Sequence, residues 1–68
     1  MALPRFYGTA GSLEAAAQGL RTAHRLQHEG RKLRPGAQPK GLYLMHETAT
    51  KVFPLYALDD TEPQQAGA

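Results

Sequence analysis

The 68-residue sequence predicts a small single α+β domain in which one helix packs on a three-stranded sheet, in the order β-α-β-β. Three observations indicate this fold. A short aromatic segment near the start favours a strand. A long stretch rich in Ala, Leu, Gln and Arg, which are good helix formers, follows it. Two apolar runs then stand on either side of a link that has the length of a hairpin loop.

The first strand is predicted at residues 3–7, where Pro4 fits the start of a strand or a sheet edge. Ser12 is a natural N-cap, so the helix is predicted to cover residues 13–29. Gly30 then suits the position just beyond the helix end. Apolar residues recur at helical spacing along this helix and are predicted to face the sheet, with Leu20 packing against Leu44 and Phe53 or Leu55.

The two apolar runs, residues 42–46 and 51–58, are predicted to form a hairpin. A right-handed crossover would place the first strand parallel to the second. Pro54 donates no amide hydrogen, which predicts the third strand at an edge and the spatial order 1-2-3. The sequence thus predicts one β-α-β-β domain at 1–58. The polar, acidic segment 59–68 has no apolar anchor and is predicted to be a disordered tail.

The predicted hairpin is apolar on both faces, although a single helix can cover only one of them. An exposed apolar face on so small a protein is typical of an interface. A homodimer, a foreign protein or the tail could cover it. The residues predicted to anchor a partner are Tyr43, Met45, Val52, Tyr56 and Leu58.

Charge is divided unevenly along the chain. Residues 1–40 carry seven basic and two acidic side chains, a balance of +5, whereas residues 41–68 carry one basic and four acidic side chains, a balance of −3. Part of the basic charge is predicted to form one surface ridge, made of Arg21, Arg25, Arg31, Lys32 and Arg34. This basic ridge could steer an acidic protein partner or follow nucleic-acid phosphates.

No residue set points to catalysis or to a cofactor. The chain has no cysteine, which excludes disulfides and thiolate zinc sites. His24 and His28 are one turn apart, but Arg25 stands where a zinc protease has its catalytic glutamate, so no metal is predicted. Ser12 lies outside a Gly-x-Ser-x-Gly turn, and the glycine-rich segment 8–11 lacks the Lys-Ser/Thr of a phosphate loop.

The sequence therefore predicts a small non-enzymatic binding protein, an inhibitor or adaptor acting on a protein target, which forms a homodimer. In size and composition it is similar to many small phage and mobile-element proteins, although no motif carries that similarity. The alternative is a nucleic-acid-binding accessory protein. A cytoplasmic location is expected, because the chain has neither a membrane-length apolar run nor the apolar core of a signal peptide.

Overall fold

The structure is a computed structural model that describes residues 2–64. It confirms a small α+β domain, but with two helices and mixed sheets. In chain order the elements are β1 (Arg5–Tyr7), α1 (Gly8–Ala17), β2 (Leu20–Thr22), α2 (Ala23–His28), β3 (Arg31–Leu33), β4 (Gly41–Leu44), β5 (Phe53–Ala57), a 3₁₀ turn (Leu58–Asp60) and β6 (Thr61–Pro63).

The main sheet has four strands in the order β1-β4-β5-β2. β1 is parallel to β4, and the other pairs are antiparallel, so the predicted parallel pairing and the predicted hairpin are both present. A separate two-stranded antiparallel sheet joins β3 to β6. Each of the first three strands thus pairs with one of the last three, in the same order along the chain.

The prediction of one helix over 13–29 is wrong. Gly19 has a φ of 77°, a left-handed conformation that ends α1, and its amide donates to the carbonyl of Ala16. The hydroxyl of Thr22 then accepts from the amide of Arg25 at 3.2 Å and starts α2. Residues between these two signals join the sheet as β2. Ser12 is not a cap, because α1 already begins at Gly8.

The prediction of a three-stranded sheet with its third strand at the edge is also wrong, because β2 covers the outer side of β5. Pro54 is tolerated there because β2 is so short. The pairing between β2 and β5 ends where Thr22 lies opposite Leu55, so it does not reach Pro54, the residue that precedes Leu55. The missing amide of Pro54 therefore interrupts no bond to β2.

The disordered tail was predicted to begin too early. Asp59 and Asp60 belong to the 3₁₀ turn, and β6 pairs with β3 in a register that sets Thr61 opposite Leu33. Thr61 is only 2% exposed. The folded part of the chain therefore extends beyond residue 58, while residues 65–68 of the predicted tail lie outside the described residues.

The core lies between α1 and one face of the main sheet. It consists of Phe6, Ala15, Leu20 and Leu55, with Tyr43 and Ala57 packed against it. Leu20 is buried as predicted, but it projects from a strand and not from a helix. Leu44 is buried elsewhere, because strand alternation turns it to the face opposite Tyr43. Within residues 2–64, no helix is long and apolar enough to cross a membrane.

Candidate binding groove

A groove of about 360 Å³ opens between the two helices. Short strand β2 separates α1 from α2, so both helices contribute to its walls, and the main sheet provides its base. The lining residues are Ser12, Leu13, Ala15 and Ala16 from α1, Leu20, Arg21 and Thr22 from β2, His24 and Arg25 from α2, and Tyr43 and Leu55 from the sheet.

Apolar side chains form the base and one edge of the groove. Leu55 is buried, and Tyr43 is half-buried with its ring centroid 6.3 Å from that of Phe53. Leu13 is 68% exposed at the wall formed by α1. The groove therefore exposes apolar side-chain surface to water, and a ligand could bury this surface on binding.

Two arginines, tied together by Glu29, form the opposite edge. The Nε atoms of Arg21 and Arg25 lie 3.2 and 3.0 Å from the same oxygen of Glu29. The hydrogen bond from Arg25 lowers the pKa of Glu29 below its usual value, and the charge of Arg21 acts in the same direction against partial desolvation. Arg25 remains 70% exposed, so its guanidinium is open to a ligand.

Arg21 is held more firmly than Arg25. Its Nη1 atom donates to the carbonyl oxygens of Ala16 and Leu20, both at 3.0 Å. Because Ala16 lies in the last turn of α1, this positive charge is placed favourably against the helix dipole. Only 20% of the Arg21 side chain is exposed. Arg21 therefore fixes the corner between α1 and β2, while Arg25 is the exposed charge of the groove edge.

Two polar side chains of the groove are held by local contacts. The Thr22 hydroxyl caps α2, and the Nε2 atom of His24 lies 3.1 Å from Nε2 of His28. Across residues 2–64, no cluster of three or more His, Cys, Asp or Glu side chains is arranged to hold a metal ion.

The predicted basic ridge is not continuous. Arg21 and Arg25 reach the groove, but Arg31 donates from Nε to the Thr61 hydroxyl at 2.7 Å and stabilises the contact between β3 and β6. Lys32 lies 3.5 Å from Glu62 in an ion pair. Arg34 is exposed just after β3, away from the groove lining. The ridge is divided because residues 31–33, which were expected to lie in a loop after the helix, form β3 and pair with β6.

The predicted apolar anchors do not share a face either. The pairing of Tyr43 with Phe53 places Tyr43 on the core face, and strand alternation places Tyr56 on the other face. Met45 and Val52 are 64% and 45% exposed at the two ends of the hairpin loop. Leu58 is half-buried in the 3₁₀ turn. Of the five anchors, Tyr43 alone lines the groove.

Sequence reasoning missed the groove because it treated Leu13, Ala16 and His24 as parts of a single helix. The signals that separate the two helices were present in the sequence. Gly19 is a typical residue just beyond a helix end, and Thr22 is a typical N-cap. Read together, they place a break between α1 and α2.

The chain matches no protein-family model, no curated protein and no solved structure. What the groove binds must therefore be argued from its own residues.

Proposed function

We propose that this is a small non-enzymatic binding protein, an inhibitor or adaptor, which holds an acidic segment of a protein target in the groove between α1 and α2. One observation carries the proposal: an exposed leucine, Leu13, and an exposed arginine, Arg25, stand at the edges of a groove whose base contains Tyr43. Apolar contact area and a charge at its rim are the usual ingredients of protein recognition.

The two edges of the groove would make different contributions to binding in such a complex. A leucine or aromatic side chain of the target would remove Leu13 and Tyr43 from water, which is the main source of affinity. A target carboxylate would meet Arg25 at the rim, where charge acts mainly on the rate of encounter and on the choice of partner. The proposed ligand is therefore an apolar segment flanked by Asp or Glu.

The nucleic-acid alternative has less support. Phosphate binding depends on several free cations spaced along one surface. Here Lys32 is paired with Glu62, Arg31 is bonded to Thr61, and Glu29 offsets one of the two charges at the groove. The exposed cation Arg34 lies apart from the groove.

Two contacts support a role without catalysis. Nucleophilic catalysis requires a hydroxyl within hydrogen-bond reach of a base. The groove's histidine, His24, is bonded to His28, and its threonine, Thr22, is bonded to the amide of Arg25. These contacts engage the threonine and the histidine, while the exposed leucine and arginine at the groove edges are suited to binding.

Selection from a random-peptide display library tests the proposal without knowledge of the natural target. We expect enriched peptides to combine an apolar residue with Asp or Glu. Leu13→Glu should abolish their binding. Arg25→Glu should weaken it, and replacing the peptide's acidic residues by Lys should restore binding to Arg25→Glu.

Arg34→Glu is the matched control, because it makes the same charge change outside the groove and should leave peptide binding unchanged. Peptides that bind Leu13→Glu and the parent equally well would exclude the groove as the binding site. Enrichment of basic peptides would contradict the proposed chemistry of the target.

A further inference from the structure

The structure pairs two imidazoles of α2 in a geometry that the proposed contacts with a peptide do not require. His24 and His28 are both exposed, and their Nε2 atoms lie 3.1 Å apart. The rings meet at 69° with their centroids 4.5 Å apart. We propose that this pair chelates a single transition-metal ion of the Zn²⁺, Cu²⁺ or Ni²⁺ class, with the remaining coordination positions open to solvent.

The separation of the two nitrogen atoms carries the proposal. Tetrahedral zinc binds histidine nitrogens at about 2.0–2.1 Å, so two such ligands lie about 3.3 Å from one another. The observed 3.1 Å is close to that value, and the same Nε2 atom of each ring faces the partner. Closing on an ion would therefore require only a small change in side-chain position and none in the backbone of α2.

Residue type selects the class of ion. Imidazole suits Zn²⁺, Cu²⁺ and Ni²⁺, whereas Mg²⁺ and Ca²⁺ prefer oxygen ligands. Without metal, the 3.1 Å contact is a hydrogen bond in which one ring donates from Nε2 and the other accepts. A bound ion would accept a lone pair from Nε2 of both rings, and the donor ring would then carry its hydrogen on Nδ1 in place of Nε2.

The positive charge of the arginines near this histidine pair is partly offset by a carboxylate. Arg25 is adjacent to His24 in sequence, but its Nε atom is bonded to Glu29, the residue that follows His28. Arg21 is bonded to the same carboxylate. Glu29 therefore offsets part of the positive charge that would otherwise oppose a cation at the histidines.

Calorimetric titration of the full chain with Zn²⁺, repeated with Ni²⁺, tests the site. We expect saturable binding of one ion per chain. His24→Ala and His28→Ala should each weaken binding by at least about tenfold, which is the lower limit reported for losing even an outer-shell partner of a metal ligand. Both side chains are exposed, so the variants should fold, and their melting temperatures without metal will verify it.

The third histidine supplies a matched control. His46 lies after β4, its Nδ1 atom is 3.0 Å from the Thr48 hydroxyl, and His46→Ala should bind metal like the parent. In NMR spectra, Zn²⁺ should shift the ring signals of His24 and His28 and leave those of His46 in place. Equal affinity in the parent and in His28→Ala, or the absence of saturable binding, would overturn the proposal. A stoichiometry of one ion per two chains would contradict the proposal that the remaining coordination positions are open to solvent, because a second copy of the chain would then supply ligands.

Discussion

Gly11 of α1 lies against the main chain of Phe6, so closely that a Cβ atom at Gly11 would be 2.7 Å from the carbonyl carbon of Phe6. The same atom would lie 3.1 Å from the Cβ atom of Phe6. A glycine here lets the helix approach the first strand of the sheet and cover the Phe6 ring, which is 5% exposed in the core. The close approach also sets the depth at which α1 forms its wall of the groove.

Gly11→Ala should destabilise the protein, although alanine is the better helix former by about 1 kcal/mol. The added methyl group meets backbone atoms that cannot rotate away, and overpacking of this kind costs about 1–3 kcal/mol. Urea unfolding will measure the change. Ser12→Ala, at the next and exposed position of α1, should leave stability unchanged or raise it. A Gly11→Ala protein as stable as the parent would show that α1 can move away from β1 without loss.

Leu20 and Leu13 were both assigned to the core-facing stripe of a single helix, and the structure separates them. Leu20 is 8% exposed in the core, whereas Leu13 is 68% exposed at the groove. Leu20→Ala should cost about 2–5 kcal/mol, as expected for a buried leucine. Leu13→Ala should change stability by less than about 0.5 kcal/mol. Thermal unfolding of both variants will decide between the two assignments, and equal losses would contradict the structure.

Thr61 connects three parts of the chain through its hydroxyl. The oxygen accepts from Nε of Arg31 at 2.7 Å and donates to the carbonyl of Leu58 at 2.6 Å. Thr61→Val keeps the shape but removes both hydrogen bonds of the hydroxyl and leaves Nε of Arg31 without this acceptor, so unfolding should become easier by about 1–3 kcal/mol. Thr48→Val, in the exposed hairpin loop, is the control and should have little effect. Chemical denaturation of the two variants will give the difference.

Glu29 should make a pH-dependent contribution to stability. Its pKa is lowered in the folded protein from an ordinary value of 4.5, so folding favours the charged carboxylate. That contribution is present above 4.5 and disappears as the pH falls through the lower, folded-state pKa. The parent should therefore be more stable than Glu29→Gln at neutral pH, and the two should converge in acid. Urea titrations from about pH 7 down to about pH 2 will test this, and a difference that is unaltered in acid would exclude the ion pairs as its cause.

The sheet face opposite the core remains the proposed site of self-association. Leu42 and Pro54 are directly paired on it, and Tyr56 follows on the same strand. All three are half-buried. We expect a dimer at micromolar concentration that Tyr56→Glu converts to a monomer, whereas Leu13→Glu at the groove should stay dimeric. Sedimentation equilibrium will measure both, and a parent protein that is monomeric at every concentration would contradict the prediction.

Local signals in the sequence predicted the central part of the fold well. The β4–β5 hairpin follows from two apolar runs that a sequence displays directly, and the parallel pairing of β1 with β4 follows from a general rule for crossover connections. The division of the long helix was less visible, because Leu20, Arg21 and Thr22 are ordinary residues in a helix. Their pairing with β5, more than thirty residues away, overrides that local preference.

The candidate site was predictable only in part, for the same reason. Arg21, Arg25 and Tyr43 were predicted to contact a partner, and the groove brings them together. Arg31 and Lys32 satisfied the same sequence criterion, but β6 supplies partners for both. The polar composition of residues 59–63 hid this strand, since β6 is stabilised by one buried hydroxyl and an ion pair in place of a run of apolar side chains.

The one-to-one pairing of the first three strands with the last three determines when this protein can fold. While residues 41–63 are still inside the ribosome, no strand of residues 5–33 has its partner. The strands of the first half therefore emerge unpaired, and the two sheets can form only after the second half has followed. Cleavage of the link at residues 34–40 should likewise yield one fragment whose strands have no partner and one that keeps only the β4–β5 pairing, and the two should fold when mixed, which makes the chain a natural starting point for a split reporter.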